Sequence, residues 1–170
     1  MTMSDAVAVI HQGRLAQVDT PNNVYERPSS RFVADFLGES NLIDVTIEAL
    51  DAGGTAAVRS RQGEGFRGIL AGDASVGDTA TMVVRPEKIW LDSFPGDGNA
   101  TSGVVQDIGY AGDSIRYVVT LPSGRAIVAK FLNRERLGIE PGSQVQLGWK
   151  FEDTRILPAV GSGISREGKS

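Results

Sequence analysis

The 170-residue sequence contains no cysteine. Disulfide frameworks and thiolate-bound metal sites are therefore excluded, and a reducing compartment is the natural setting. Aromatic residues make up only 6% of the chain and there is one histidine, His11. Single-strand nucleic-acid binders rely on aromatic platforms set in basic grooves, and the chain is poor in both. Its 17 Lys and Arg are outnumbered by 21 Asp and Glu, and the formal net charge is −4. Without clustered cations to release counterions, general binding to a phosphate backbone is disfavoured. No apolar run approaches the ~20 residues needed to span a bilayer. Met1-Thr2-Met3-Ser4-Asp5 also lacks the basic start of a signal peptide. Cytoplasmic placement is expected, with any membrane contact made through a partner.

What the chain does have is glycine, 21 residues of it, and a 41% hydrophobic fraction broken into short runs. Short apolar runs separated by Gly, Asp, Asn or Pro predict a mainly β body. Residues 7–10 and 14–18 read as two strands around a His11-Gln12-Gly13 turn. Four consecutive apolar residues, Val7 to Ile10, suggest burial on both faces. A second copy of the chain is expected to help cover that strand. Thr20-Pro21 is a helix start, with Thr as N-cap and Pro at the first helical position. Pro28 ends that helix, and Ser29 or Ser30 starts another. Phe32, Val33, Phe36 and Leu37 share one face of the second helix, and Gly38 stops it. From Leu42 onward, strands are predicted at 42–50, 55–60, 66–71, 79–85, 88–92, 101–108, 115–121, 125–131, 144–150 and 155–160. The Gly/Ser-rich end, 161–170, is expected to be disordered.

An internal echo runs through the β region. Val76-Gly77-Asp78-Thr79 through Arg85-Pro86-Glu87 parallels Pro141-Gly142-Ser143-Gln144 through Lys150-Phe151-Glu152. Each is a Gly turn, an alternating strand, a basic residue and a Glu, followed by an apolar pair, Trp90-Leu91 or Ile156-Leu157. Two related halves are predicted.

Two regions carry a family resemblance. The first runs from Gln12-Gly13-Arg14-Leu15-Ala16-Gln17-Val18-Asp19-Thr20-Pro21 through Tyr25-Glu26-Arg27-Pro28 to Phe32-Val33-Ala34-Asp35-Phe36-Leu37-Gly38. The second comprises Val84-Arg85-Pro86-Glu87-Lys88-Ile89, Gly109-Tyr110-Ala111-Gly112 and Trp149-Lys150-Phe151-Glu152-Asp153. Together they resemble the end of the ATP-binding subunit of bacterial ABC importers of the polyamine, iron and maltose type, with its TOBE-type regulatory domain. The resemblance implies an OB-like β-barrel of one or two lobes, homodimeric pairing and membrane-spanning partner subunits above a cytoplasmic, membrane-peripheral complex. It divides the chain into a remnant hairpin of the ATPase domain (1–19), a helical connector (20–40), the barrel domain (41–160) and the tail (161–170). Asn22 and Asn23 stand where the family commonly has acidic residues after Thr-Pro. No phosphate loop, signature motif, Walker-B strand or switch histidine accompanies this stretch. The expectation is a non-enzymatic regulatory region without cofactor, ATP and magnesium belonging to the parent subunit.

Other motifs read mostly as ordinary structure. Gly163-Ile164-Ser165-Arg166-Glu167-Gly168-Lys169-Ser170 matches a phosphate loop letter for letter, but no sequence follows to form the helix such a loop requires. His11 is read as an exposed turn residue. Glu152-Asp153, placed on a strand, and Asp35 with Glu39, at helical spacing, read as solvated charge. Gly63-Glu64-Gly65 reads as a hairpin turn. Arg85 and Glu87 are expected to order a strand exchange. Gly109, Tyr110 and Gly112, near Arg116 and Lys130, are the candidate ligand residues, a loop whose backbone N–H groups could hold a small regulator. The competing reading is a stand-alone OB-type module for a small oxyanion or metabolite, and less favourably for nucleic acid.

Overall fold

A computed structural model describes residues 5–94, 96–132 and 138–159. The 161–170 tail and its phosphate-loop letters lie outside them. A hairpin of β1 (Val7–His11) and β2 (Arg14–Asp19) leads into two short helices, α1 (Pro21–Glu26) and α2 (Arg31–Phe36). Gln12 and Gly13 both have positive φ, 49° and 74°, as a tight two-residue hairpin turn requires. The Thr20 hydroxyl accepts the Asn23 N–H at the start of α1, and Ser30 accepts that of Val33 at the start of α2. Asn23 also donates its side-chain amide to Asp19 at 2.8 Å. The acid missing from the first turn is thus supplied from the residue just before the cap.

Val9, Val24 and Val33 form a small core between hairpin and helices. Within this chain β1 is covered on one face only. Val9 points inward, whereas Ile10, Leu15 and Val18 on the other face are 64%, 64% and 52% exposed. The reason is pairing: among the described residues β1 pairs with β2 alone, and the helices cover one side. The predicted apolar face of α2 is also only partly used, because Phe36 lies outside, stacked on Phe32.

The body is built twice. β3 (Asn41–Leu50), β4 (Thr55–Ser60), β5 (Gly65–Leu70) and β6 (Thr79–Val84) form the first lobe, and β8 (Asn99–Ala111), β9 (Ser114–Thr120), β10 (Ala126–Leu132) and β11 (Gln144–Trp149) form the second. Each lobe is completed by the other half's last strand. β12 (Thr154–Pro158) closes the first lobe into a barrel ordered β12-β5-β4-β3-β6, and β7 (Trp90–Leu91) extends the second sheet, ordered β10-β9-β8-β11-β7. The sequence echo therefore has a geometric counterpart, strand, 3-10 turn and exchanged strand, with turns at Pro86–Lys88 and Phe151–Asp153. Glu152 and Asp153 accordingly sit in a turn, not on a strand. The likeness extends to local irregularities, since β3 bulges between Ile47 and Ala49 and β8 between Val105 and Asp107. In both, the residue before the bulge takes N–H bonds from, and gives one to, the Gly turn that precedes the fourth strand (Gly77-Asp78 or Gly142-Ser143).

Alternating inward residues of both lobes merge into one core containing Ile43, Ile47, Met82, Val119, Leu147 and Trp149. Trp149 packs on Phe66 with ring centroids 5.4 Å apart. Fully burying such side chains contributes roughly 2–3 kcal/mol each before entropy is counted. Close approach of backbone and ring explains Gly148, since a Cβ there would lie 2.5 Å from that of Phe94.

Two asparagines bolt the lobes together. Asn41, at the start of β3, donates to the Val128 carbonyl at 2.8 Å and accepts the Val128 N–H at 2.7 Å. Asn99, at the start of β8, makes the same pair of bonds to Arg67 at 2.8 and 2.7 Å. Each buried amide thus imitates a strand residue and satisfies the backbone of the opposite lobe. Asn41→Ala or Asn99→Ala leaves one part-buried N–H and one part-buried C=O unpaired, and each substitution should lower stability by about 1–3 kcal/mol in urea unfolding. A loss below about 0.5 kcal/mol, the level of an ordinary surface change, would remove the clamp from this account.

Candidate functional site

The junction of the helical connector with the barrel concentrates the buried polar chemistry. Arg85 follows β6 and is 5% exposed. Its guanidinium donates to the Ala34 carbonyl at 3.2 Å, to the Tyr25 carbonyl at 2.7 Å and to the Ser40 hydroxyl. It also lies 4.0 Å from the centre of the Tyr25 ring. One side chain thereby joins α1, the end of α2 and the entry to β3. The planar five-donor fork suits this task, and a lysine could neither reach three acceptors in that plane nor stack as well. Burial pushes the Arg85 guanidinium below its ordinary value, partly offset by the charges of Tyr25 and Glu87. Among the described residues no carboxylate forms an ion pair with it.

Tyr25 is the matching piece on α1. Its hydroxyl donates to Glu87 of the first 3-10 turn at 2.6 Å. Burial first, and that bond second, raise the phenol to about 12 from an ordinary value of 10.0. Arg85 and Glu87, expected to order the strand exchange, make their side-chain bonds to the connector instead, and Tyr25 is the partner that sequence reasoning missed. Two outer ion pairs run the same way, Arg31 to Asp44 and Arg116 to Glu39. Both are exposed and contribute little alone. α2 ends at Phe36, so Asp35 and Glu39 are not on a common helix as expected.

The candidate ligand residues are brought together only in part. Gly109, Arg116 and Lys130 fall in one cross-strand row, Gly109 opposite Arg116 and Arg116 opposite Lys130. Tyr110 lies beyond this row and is 63% exposed, and Gly112, with φ of 59°, makes the turn into β9. Arg116 already holds Glu39 at 2.6 Å. Lys130 instead faces a cleft of about 510 Å³ shared with Tyr25, Glu87, Trp90 and Phe131. This cleft marks where the lobes differ. In the first lobe β12 pairs with β5, and Ala71 donates its N–H to Ile156 at 2.9 Å. In the second sheet, among the described residues, β7 does not pair with β10, and the cleft lies along that seam.

His11 ends β1, exposed, with its ring 3.7 Å from that of Phe32. Gly63 and Glu64 lie in the β4–β5 hairpin connection, and the Glu64 carboxylate accepts from Ser60 and from Ser123 of the other lobe, both at 2.8 Å. Among the described residues no cluster of three or more His, Asp or Glu is placed to hold a metal. No described helix is long and apolar enough to cross a membrane.

Comparison with known proteins agrees with this architecture. Residues 82–157 match the family described as the TOBE domain. The chain is 36% identical to the spermidine/putrescine import ATP-binding protein PotA of Rubrobacter xylanophilus, over 92% of this chain and 42% of the relative. It is 34% identical to the protein of that name from Pseudomonas aeruginosa UCBPP-PA14, over 94% of this chain and 45% of the relative. The chain thus spans less than half the length of these relatives. Among solved structures, the cytoplasmic molybdate-binding protein ModG superposes with a TM-score of 0.63 over 76% of this chain and 97% of its own, at 16% identity. That likeness is one of fold, and it bears out the OB-like barrel expected from the sequence.

The raised phenol has a pH consequence. A folded-state value of about 12 against 10.0 stabilises the fold fully below pH 10, and that contribution is lost as pH rises through 12. Urea unfolding of the chain should show this alkaline loss, and Tyr25→Phe should flatten it. An unchanged profile in Tyr25→Phe would show that the alkaline loss does not come from this phenol.

Proposed function

We propose, from the premise that residues 82–157 form a TOBE domain, that this chain is the regulatory region of an import ATPase subunit serving uptake of spermidine, putrescine or a related polyamine. ATP and magnesium belong to the remaining polypeptide of such a subunit. The chain itself contributes a mechanical part. The observation that carries this reading is the Arg85–Tyr25–Glu87 junction, in which the buried Arg85 side chain and the more exposed Tyr25–Glu87 bond fasten the connector to the barrel through directional contacts. A connector held this way transmits any displacement of the catalytic region to the barrel as a rigid movement. The barrel biases the ATPase cycle only if it, or a regulator bound to it, interacts differently with the open and closed states.

The same reading includes a homodimer beneath membrane-spanning partner subunits, at the inner face of the membrane. The uncovered face of the hairpin, Ile10, Leu15 and Val18, supports an additional covering surface. In a full-length subunit the remaining polypeptide covers it, and in the isolated chain a second copy does.

A second reading is a stand-alone module for a small oxyanion. Its support is the fold shared with a molybdate-binding protein and the row formed by Gly109, Arg116 and Lys130 beside Tyr110 and Gly112. The engagement of Arg116 with Glu39 counts against it.

A chimera tests the choice. The ATPase portion of the Rubrobacter relative, joined to this chain in place of its own matching region, should form a dimer with ATPase activity and restore spermidine uptake in cells lacking the importer. A monomeric, inert chimera, with saturable molybdate binding by the chain, would transfer the conclusion to the second reading.

A further inference from the structure

A second cleft, of about 440 Å³, shares Tyr25 with the first but is otherwise lined by different residues. Its walls are the end of α1, β5, β12 and the two 3-10 turns, so it lies where connector and both halves of the body meet. Arg27, the residue closing α1, and Arg155, on β12, both line it. Arg155 is held in place by backbone pairing on both sides, to Val83 of β6 and Ile69 of β5. Its Nε is buried with no hydrogen-bond partner. Neither guanidinium has an ion pair or side-chain hydrogen bond among the described residues.

The carboxylates nearby are largely occupied. Asp153 is paired with Lys88 at 3.3 Å, Glu26 accepts from Asn22 at 3.4 Å, and Asp19 is held by Asn23 and the Thr20 N–H. Glu152 remains and opposes an anion, but it is exposed and screened by water. Burial first, and the neighbouring charge of Arg27 second, hold Arg155 below its ordinary value. Two like charges brought together and left without a counter-ion cost stability. An anion placed between them would offset the repulsion and accept from guanidinium N–H groups facing the cleft. Guanidinium forks bind tetrahedral oxyanions through paired, charge-assisted N–H bonds.

We propose that the Arg27–Arg155 cleft binds a small dianion of the phosphate class and that the bound anion, bridging α1 to β12, locks the connector onto the barrel. The locking rests on the regulatory reading above, whereas the binding does not. This site is separate from the Gly109–Arg116–Lys130 row and uses none of its residues.

Calorimetry at low ionic strength, with inorganic phosphate and glycerol 3-phosphate as separate probes, reads the binding. A preference for the ester would identify a phosphorylated metabolite, and one for the free ion would identify phosphate itself. Saturable binding is expected with at least one probe. Arg155→Met, which keeps the stem, and Arg27→Gln, at an exposed position that the fold does not need, should each weaken it by about tenfold or more, the loss of one charge-assisted contact. Lys130→Ala should leave it unchanged. Absence of saturable binding, or loss in Lys130→Ala with retention in both arginine variants, overturns the site. Hydrogen exchange with and without the better probe reads the locking. Amides of 21–36 should gain protection on binding, and binding without that gain overturns the locking alone.

Discussion

Arg85 is a cation taken largely out of water, with the Glu87 charge nearby but no carboxylate in an ion pair with it among the described residues. Its compensation comes from two backbone carbonyls, a hydroxyl and the face of an aromatic ring, contributed by α1, the end of α2 and the entry to β3. None of these acceptors is useful unless all three segments are in place, so the arrangement is cooperative by construction. Unpairing a buried charge costs several kcal/mol, far more than an exposed ion pair is worth. The outer pairs Arg31–Asp44 and Arg116–Glu39 therefore refine a position that Arg85 has already set.

That position matters because Arg85 sits where the chain leaves the first lobe to give a strand to the second. The body is a duplication in which neither half is complete. β7 comes from the first half and β12 from the second, and each finishes the other's sheet. Exchange makes the two lobes a single cooperative unit, and Asn41 and Asn99 tighten it by pairing with opposite-lobe backbone. A connector fastened at the exchange point is thereby fastened to the whole body. A displaced connector must move the body with it, break the junction or deform a doubly interlocked core. The sides are unequal. The first lobe closes through β12 and β5, and in the second, among the described residues, β7 and β10 do not pair and a cleft lies beside Trp90 and Lys130. The two clefts that share Tyr25 differ, one lined by aromatic and aliphatic side chains with Glu87 and Lys130, the other carrying two guanidiniums without an ion pair among the described residues.

Much of this was legible in the residues. Gly-punctuated short runs located most strands to within a residue or two, because turn chemistry and period-2 alternation are local signals. Thr20-Pro21 and Ser30 marked both helix starts for the same reason. The echo of 76–87 in 141–152 anticipated two related halves. What was not legible depends on long-range pairing. Val7–Ile10 reads as doubly buried, yet among the described residues β1 has one neighbour and one covered face, a fact of topology that no run of apolar residues encodes. Glu152-Asp153 reads as strand because the 3-10 turn between β11 and β12 lacks a Gly or Pro signal, whereas its counterpart contains Pro86. Of the candidate ligand residues, Gly109, Arg116 and Lys130 share a row, but no sequence pattern revealed that Glu39 would claim Arg116. Asn41 and Asn99 carried a usable signal that went unread. They open the first strand of each half at matching positions, and a comparison extended beyond the echo would have paired them.

The central claim is that Arg85 fixes the connector to the barrel. Residue-resolved hydrogen exchange on Arg85→Met tests it most directly, since methionine keeps the apolar stem and deletes the donors. The account predicts that amides of 21–36 lose most of their protection while β3–β6 retain theirs, as expected when one unit opens separately from the global fold. Retained protection across 21–36 in a folded Arg85→Met protein would contradict it.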